Sequence, residues 1–183
     1  MCGIFGLLVG HDGELSTKAV KNISDKLFRL SASRGKEASG FCSVRNGRME
    51  IQRYSEPSSE LIKKAEYRMQ FSDDKPRDGR NIPTYPFAIV GHSRLATSGW
   101  HGINQNNQPI NTGTVVGVHN GVVGNYRELL EEYKHIEWNT DNDSEVVFRL
   151  FVEYLERSNS LSEAVMELYR KIEGSVSIAA LFF

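Results

Sequence analysis

The sequence has no apolar stretch approaching the ~20 residues that cross a bilayer as a helix. Its first residues carry neither the basic n-region nor the long apolar segment of a secretory signal. Together these absences argue against a membrane partner. Only two cysteines are present, Cys2 and Cys42. They make a poor disulfide framework, and a cytoplasmic setting fits better. No group of Cys and His has metal-ligand spacing, so neither a metal nor a cofactor is expected. Lys and Arg number 22 against 23 Asp and Glu, and they gather in no basic run, so nothing favours nucleic acid. There is no internal repeat and no low-complexity tract. What remains is 183 residues, 39% hydrophobic and 25% charged, the composition of an ordinary globular domain long enough to bury a substantial core.

The patterning then divides the chain. Residues 2–9 are apolar and β-branched and read as a buried strand ending in a turn at His11-Asp12-Gly13. Val20, Ile23, Leu27, Phe28 and Leu30 recur at helical spacing, which predicts a helix over 15–30 with Ser16 or Thr17 as its N-cap. Asn46-Gly47 between the runs 40–44 and 49–54 predicts a hairpin. A helix is expected over 57–71 (Leu61, Ile62, Ala65, Met69), then a polar loop over 72–86. Residues 87–90 read as a buried strand running into 91–97. A long loop rich in Asn and Gln over 98–113 leads to a strand over 114–118. Part of it, 100–109, is too long and polar for a simple connection and reads as a lid or docking surface. Helices are expected over 122–133, 143–157 and 160–172, and a core strand over 175–183. A domain seldom stops in its most apolar strand with nothing to cover it, so these residues are expected to be part of a longer chain. Strands, helices and strands in this order suit an α+β architecture of two sheets between helix layers.

Cys2 directly follows Met1. Removal of Met1 would leave a thiol and a free α-amine on one residue. A cysteine nucleophile normally needs a separate base, whereas an α-amine titrates near ~7.7–8.0 and can serve as its own. The competing reading is a small apolar residue at the start of a strand.

Five short motifs occur in order: Cys2-Gly3-Ile4-Phe5-Gly6, Arg34-Gly35 through Ser39-Gly40, Gly91-His92-Ser93-Arg94-Leu95-Ala96-Thr97, His119-Asn120-Gly121 and Asp143-Ser144-Glu145. Together they resemble the glutaminase domain of class II glutamine amidotransferases, which are N-terminal nucleophile hydrolases, and most of all the glucosamine-6-phosphate synthase type. The resemblance covers essentially residues 1–183. It implies a four-layer αββα sandwich of two antiparallel sheets, L-glutamine as substrate, and an acceptor (synthase) domain or subunit that takes the ammonia. It leaves a homodimer open.

The resemblance also assigns roles. Cys2 is the nucleophile, and the Asn120 side chain with the Gly121 N–H forms the oxyanion hole. Arg94 grips the substrate α-carboxylate with Thr97 beside it, and Asp143 takes the α-ammonium in preference to Asp141. Arg34 and Gly35 organise the loop near Cys2, and His119 gives structural support. For Asn120-Gly121 a tight turn after the strand is the plain structural reading, and for Asp143 it is a helix N-cap. His92 and His119 are expected to be packed, hydrogen-bonded residues rather than partners in a Cys–His dyad. Cys42 is expected in the core. Ser33, Glu37, Leu95 and Ser98 depart from the synthase pattern, where a tyrosine, an aspartate, a tryptophan and a histidine are usual. These departures put coupling to a fructose-6-phosphate acceptor in question rather than hydrolysis. Two alternatives stay open: a non-catalytic binding module, and a hydrolase for another amide.

Overall fold

A computed structural model describes residues 2–10, 15–72, 86–95 and 102–183. The first strand, β1 (Gly3–Val9), lies antiparallel to β4 (Phe87–Arg94). On its other side β4 pairs with β2 (Ala38–Arg45), and β2 pairs with β3 (Arg48–Tyr54), giving a four-stranded sheet of order β1-β4-β2-β3. The β2–β3 connection is the hairpin expected at Asn46-Gly47. Both residues have positive φ, 50° and 69°, the two-residue loop whose twist matches its strands. A second antiparallel sheet joins β5 (Ile110–Asn111), β6 (Val115–Val123) and β7 (Gly174–Phe182) in that order.

Helix α1 (Thr17–Ser31) and two short helices, α2 (Ser58–Leu61) and α3 (Ala65–Met69), cover the first sheet. The Ser16 side chain caps α1 by accepting from the Ala19 N–H. Helices α4 (Tyr126–Glu132), α5 (Asp143–Arg157) and α6 (Leu161–Lys171) cover the second. Three apolar layers result. Phe28, Phe41, Tyr67, Phe71 and Phe87 pack between the first helices and their sheet, largely edge to face. Cys42, Val90, Val116 and Val118 pack between the two sheets. Val146, Phe148, Leu150 and Phe151 of α5 pack on the second sheet. This is the αββα sandwich.

Several sequence expectations need correction. Residues 2–9 were expected to be buried, but β1 is an edge strand, and Leu8 is 77% exposed. The apolar 175–183 segment forms β7, paired with β6 on one side among the described residues, with Phe182 and Phe183 about half exposed. The single helix over 57–71 is two, because Lys64 is extended. Leu61 and Tyr67, six residues apart, would sit about 240° apart on an unbroken helix. The break lets both reach one core while Met69 points out. The strand expected over 114–118 runs on to Val123, so Asn120-Gly121 is strand and not turn, and α4 starts only at Tyr126. The turn at 11–13 and most of the 72–86 loop lie outside the described residues.

Phe148 is fully buried against the bare Cα of Gly117, where an added Cβ would lie 2.1 Å from the ring. Phe148→Ala should therefore cost about 3–5 kcal/mol of stability in urea denaturation, the range for emptying an aromatic core site. A loss below 1 kcal/mol would mean that α5 does not bear on the second sheet as described.

Candidate active site

Cys2 sits immediately before β1, held by the loop that follows α1. Arg34 Nε donates to the Cys2 carbonyl at 2.9 Å. Gly35 lies directly on the end of β4: an added Cβ would come within 2.4 Å of the Arg94 and Leu95 backbone. The Glu37 N–H donates to the Arg94 carbonyl at 3.2 Å. These contacts bring the Leu95 carbonyl beside Cys2, whose thiol donates to it at 3.5 Å. Burial pushes the Cys2 thiol above its ordinary pKa, and the Leu95 hydrogen bond and the Arg94 charge offset only part of that. Cys2 therefore rests as a thiol.

Cys2 walls a cleft together with Arg94, His119, Gly121 and Asp143, all expected site residues, and with Gln108, Ser144, Leu95 and Asn142. Arg94 is only 3% exposed. Its Nη1 donates to the Asn106 carbonyl at 2.9 Å and to Asn107 Oδ1, and burial lowers its pKa. Asp143 is the first residue of α5, and its Oδ2 accepts from the Val123 N–H at 3.1 Å. The cap is not Asp143 but Asn142, whose side chain accepts from the Ser144 N–H. Asp141 does not wall the cleft; its N–H donates to Asn106 Oδ1. Asn120 is half-buried on β6 opposite Ser177 and is also not among the described cleft residues. Strand alternation turns its side chain to the face that carries Val116 and Val118, between the sheets. Thr97, Ser98 and Trp100 lie outside the described residues.

The residues missed in the sequence are Gln108, Ser144 and their neighbours. The Gln108 carboxamide pairs with both backbone groups of His119: Oε1 accepts from its N–H, and Nε2 donates to its carbonyl at 3.0 Å. It thereby extends the β5 ladder along β6 by one side chain. Nε2 also donates to Ser144 Oγ at 2.9 Å, and Ser144 Oγ lies 2.9 Å from His119 Nδ1. Ser144 Oγ thus bridges Gln108 and His119, and the Ser175 carbonyl lies beside the His119 ring. Burial keeps this ring neutral, although Asp143 opposes the shift. The 100–109 stretch was expected to be a lid, but Asn106, Asn107 and Gln108 are buried. The available signal was five consecutive carboxamides, residues 104–108. Such side chains donate and accept at once, which suits pairing with buried backbone as well as solvation.

The cleft encloses about 20 Å³ in this conformation, and a cavity of about 420 Å³ lies beside Arg45, Met49 and Met69. Size does not locate the chemistry: the larger cavity has no nucleophile, whereas the smaller unites a thiol, a guanidinium and a carboxylate.

A family model described as a glutamine amidotransferase domain matches residues 41–165. The chain belongs to this family. Glutamine–fructose-6-phosphate aminotransferases (isomerizing) of Zymomonas mobilis and Brucella suis are 29% and 30% identical to it across 100% of its length. The chain spans only 27% of each of these relatives. Among solved structures, an allosteric regulatory enzyme of purine biosynthesis aligns over 99% of the chain and 35% of its own, with a TM-score of 0.66 at 21% identity. The glutamine phosphoribosylpyrophosphate amidotransferase of B. subtilis aligns over 100% and 35%, also at 0.66, with 19% identity. At those identities the likeness speaks for the fold alone, which the chain shares with both over nearly its whole length.

The amidotransferase domain also buries a histidine that its cleft does not use. His92 on β4 is fully buried, and neither ring nitrogen has a hydrogen-bond partner among the described residues. It is packed but not hydrogen-bonded, contrary to expectation. Burial, with Arg94 and His119 adding to it, pushes its pKa down to about 3. The folded protein thus keeps His92 neutral while the unfolded chain protonates it below about 6.5. The unfolded state binds more protons, so stability falls as pH drops from about 6.5 toward 3 and is unaffected above that window. In urea titrations between pH 7 and 5, His92→Phe should show a shallower loss of stability than the parent. Parallel pH profiles would mean that His92 finds a partner.

Proposed function

We propose that the domain hydrolyses the side-chain amide of L-glutamine to L-glutamate and ammonia, and that the ammonia passes to an acceptor domain for amino-sugar synthesis. The observation that carries this reading is the meeting of Cys2, Arg94 and Asp143 on one cleft. The acceptor follows from the two relatives named above, whose full activity needs far more chain than these 183 residues. The absence of a helix long and apolar enough to cross a membrane among the described residues accords with a cytoplasmic enzyme.

The chemistry divides among the chain's own groups. Removal of Met1 frees the Cys2 amine, which takes the thiol proton as sulfur attacks the amide carbon. That amine is the base a protonated thiol needs. The tetrahedral oxyanion is held by the Asn120 amide and the Gly121 N–H. The amine returns the proton to the leaving nitrogen, ammonia departs, and water attacks the resulting thioester with the same amine as base. Arg94 offers a planar fork to the α-carboxylate, Asp143 accepts the α-ammonium, and Thr97 adds a hydroxyl. His119, Arg34 and Gly35 position the nucleophile and the oxyanion segment. The cleft holds little more than a water molecule as it stands, so substrate enters by displacing the Leu95 wall and drawing Cys2 off its carbonyl.

Cys2→Ser should abolish glutaminase activity while the protein folds normally, and a Met1-retaining preparation verified by mass should be equally inactive with its thiol intact. Hydrolysis by the Met1-retaining form at the processed rate would sink the N-terminal mechanism.

Binding and catalysis should separate at two residues. Arg94→Lys keeps the charge but loses the fork, and should raise KM for glutamine at least ~10-fold. Asn120→Ala should lower kcat by roughly 10²–10³ with KM little changed, the usual effect of one lost oxyanion donor. Steady-state kinetics on both variants decides it, and the reverse pattern would exchange the two roles.

A further inference from the structure

A cavity of about 260 Å³ draws its walls in part from residues that flank those of the catalytic cleft in the 105–111 and 139–149 segments. Its walls come from β3 (Arg53), from the 105–111 segment (Gln105, Asn111), and from the approach to α5 and its first turns (Thr140, Glu145, Arg149). The charge on these walls is one-sided, two guanidiniums against one carboxylate, while the carboxamides of Gln105, Asn111 and Asn139 offer both donors and acceptors. Arg53 is half-buried; its Nε donates to the Pro109 carbonyl at 2.6 Å, and no carboxylate pairs with it among the described residues. Its two terminal nitrogens have no hydrogen-bond partner there. Thr140 Oγ1 accepts from the Asn142 N–H, which leaves its hydroxyl proton to donate. Asn111 Oδ1 accepts from the Gly113 N–H, which leaves its NH₂ group as the free end.

Glu145 is the one acid in the wall, and it is already spent. Its carboxylate accepts from the Asn139 N–H at 2.9 Å, from the Thr140 N–H at 2.7 Å and from Arg149 Nε at 3.2 Å, and it is only 3% exposed. It compensates Arg149, not Arg53. The cavity therefore keeps one uncompensated guanidinium and several unspent donors, with its sole acid saturated. The half-buried Arg53 guanidinium, with both terminal nitrogens unspent, favours an acceptor-only group with paired oxygens, and Thr140 and the exposed Asn111 can add to its grip.

We propose that this cavity binds a small oxyanion, phosphate or carboxylate, between Arg53 and Arg149, apart from the glutamine cleft. The proposal does not depend on turnover, and it is tested without glutamine. The parent protein is titrated calorimetrically with inorganic phosphate and, separately, with acetate, each against sodium chloride of matched ionic strength. A saturable signal with one or both oxyanions and none with chloride is expected, and the stronger of the two names the source. Arg53→Gln should weaken that binding at least ~10-fold, the scale of a charge-assisted pair. Arg149→Gln should weaken it less, because that guanidinium is shared with Glu145. Arg53→Gln also breaks the bond to Pro109, so Asn111→Asp is the second test. It retains the acceptor for the Gly113 N–H, leaves Arg53 in place, and sets a negative charge in the cavity that should abolish binding. Heats equal to those of chloride, or unchanged affinity in both Arg53→Gln and Asn111→Asp, would overturn the proposal. Because Cys2 takes no part, an inactive glutaminase would leave these outcomes intact.

Discussion

One backbone oxygen holds the site together. The Asn106 carbonyl accepts from Arg94 Nη1 at the end of β4 and from Asn142 Nδ2 at the start of α5. It therefore joins the first sheet, which carries Cys2 and Arg94, to the helix that carries Asp143. The two sheets otherwise meet there through apolar side chains, which resist sliding poorly because the hydrophobic effect is non-directional. A buried carbonyl with two donors in fixed directions supplies what that layer lacks, and one of those donors is charged. The Asn106 side chain adds a third tie, through the Asp141 N–H. Any change that moved residues 104–109 would shift guanidinium and carboxylate relative to each other.

Much of the fold was legible because it follows local chemistry. Asn46-Gly47 fixes a hairpin whatever surrounds it, and Ser16 and Ser160 each cap the helix that their sequence marks. What could not be read is what depends on neighbours. The strand at 2–9 has a core-like sequence, yet it lies at a sheet edge, and only pairing order reveals that. Asn120-Gly121 carries a strong turn signal, but β7 imposes strand geometry on it. Gly121 is needed for proximity, since a Cβ there would stand 1.8 Å from the Ser175 carbonyl.

The candidate site shows the same division. Cys2, Arg94 and Asp143 were legible through motifs, because each carries its chemistry in its own side chain, and Gly121 through the motif it shares with Asn120. Gln108 and Ser144 were not, because neither is unusual alone. They acquire meaning only where the 104–109 segment folds back beneath β6 and meets α5. A polar run reads as a lid when its partners are taken to be water. Here the partners are buried backbone groups of His119, which would cost about 1–3 kcal/mol each if left unpaired.

Electrostatics sets the division of labour around Cys2. The cleft is too buried to hold a resting thiolate: desolvation outweighs both the Leu95 hydrogen bond and the nearby Arg94 charge. His119 is close enough to tempt a dyad, yet its Nδ1 is engaged by Ser144 and its ring is held neutral by burial. A ring tied to Ser144 at one nitrogen and kept neutral by burial is a poor acceptor for a thiol proton. His92 is worse placed, buried and without polar contacts of its own. Neither histidine therefore offers Cys2 a ready base, which is what the proposed use of the Cys2 amine supplies. The loop at 34–37 ties Cys2 to the end of β4, gripping the Cys2 carbonyl through Arg34 and lying on the Arg94–Leu95 backbone through Gly35.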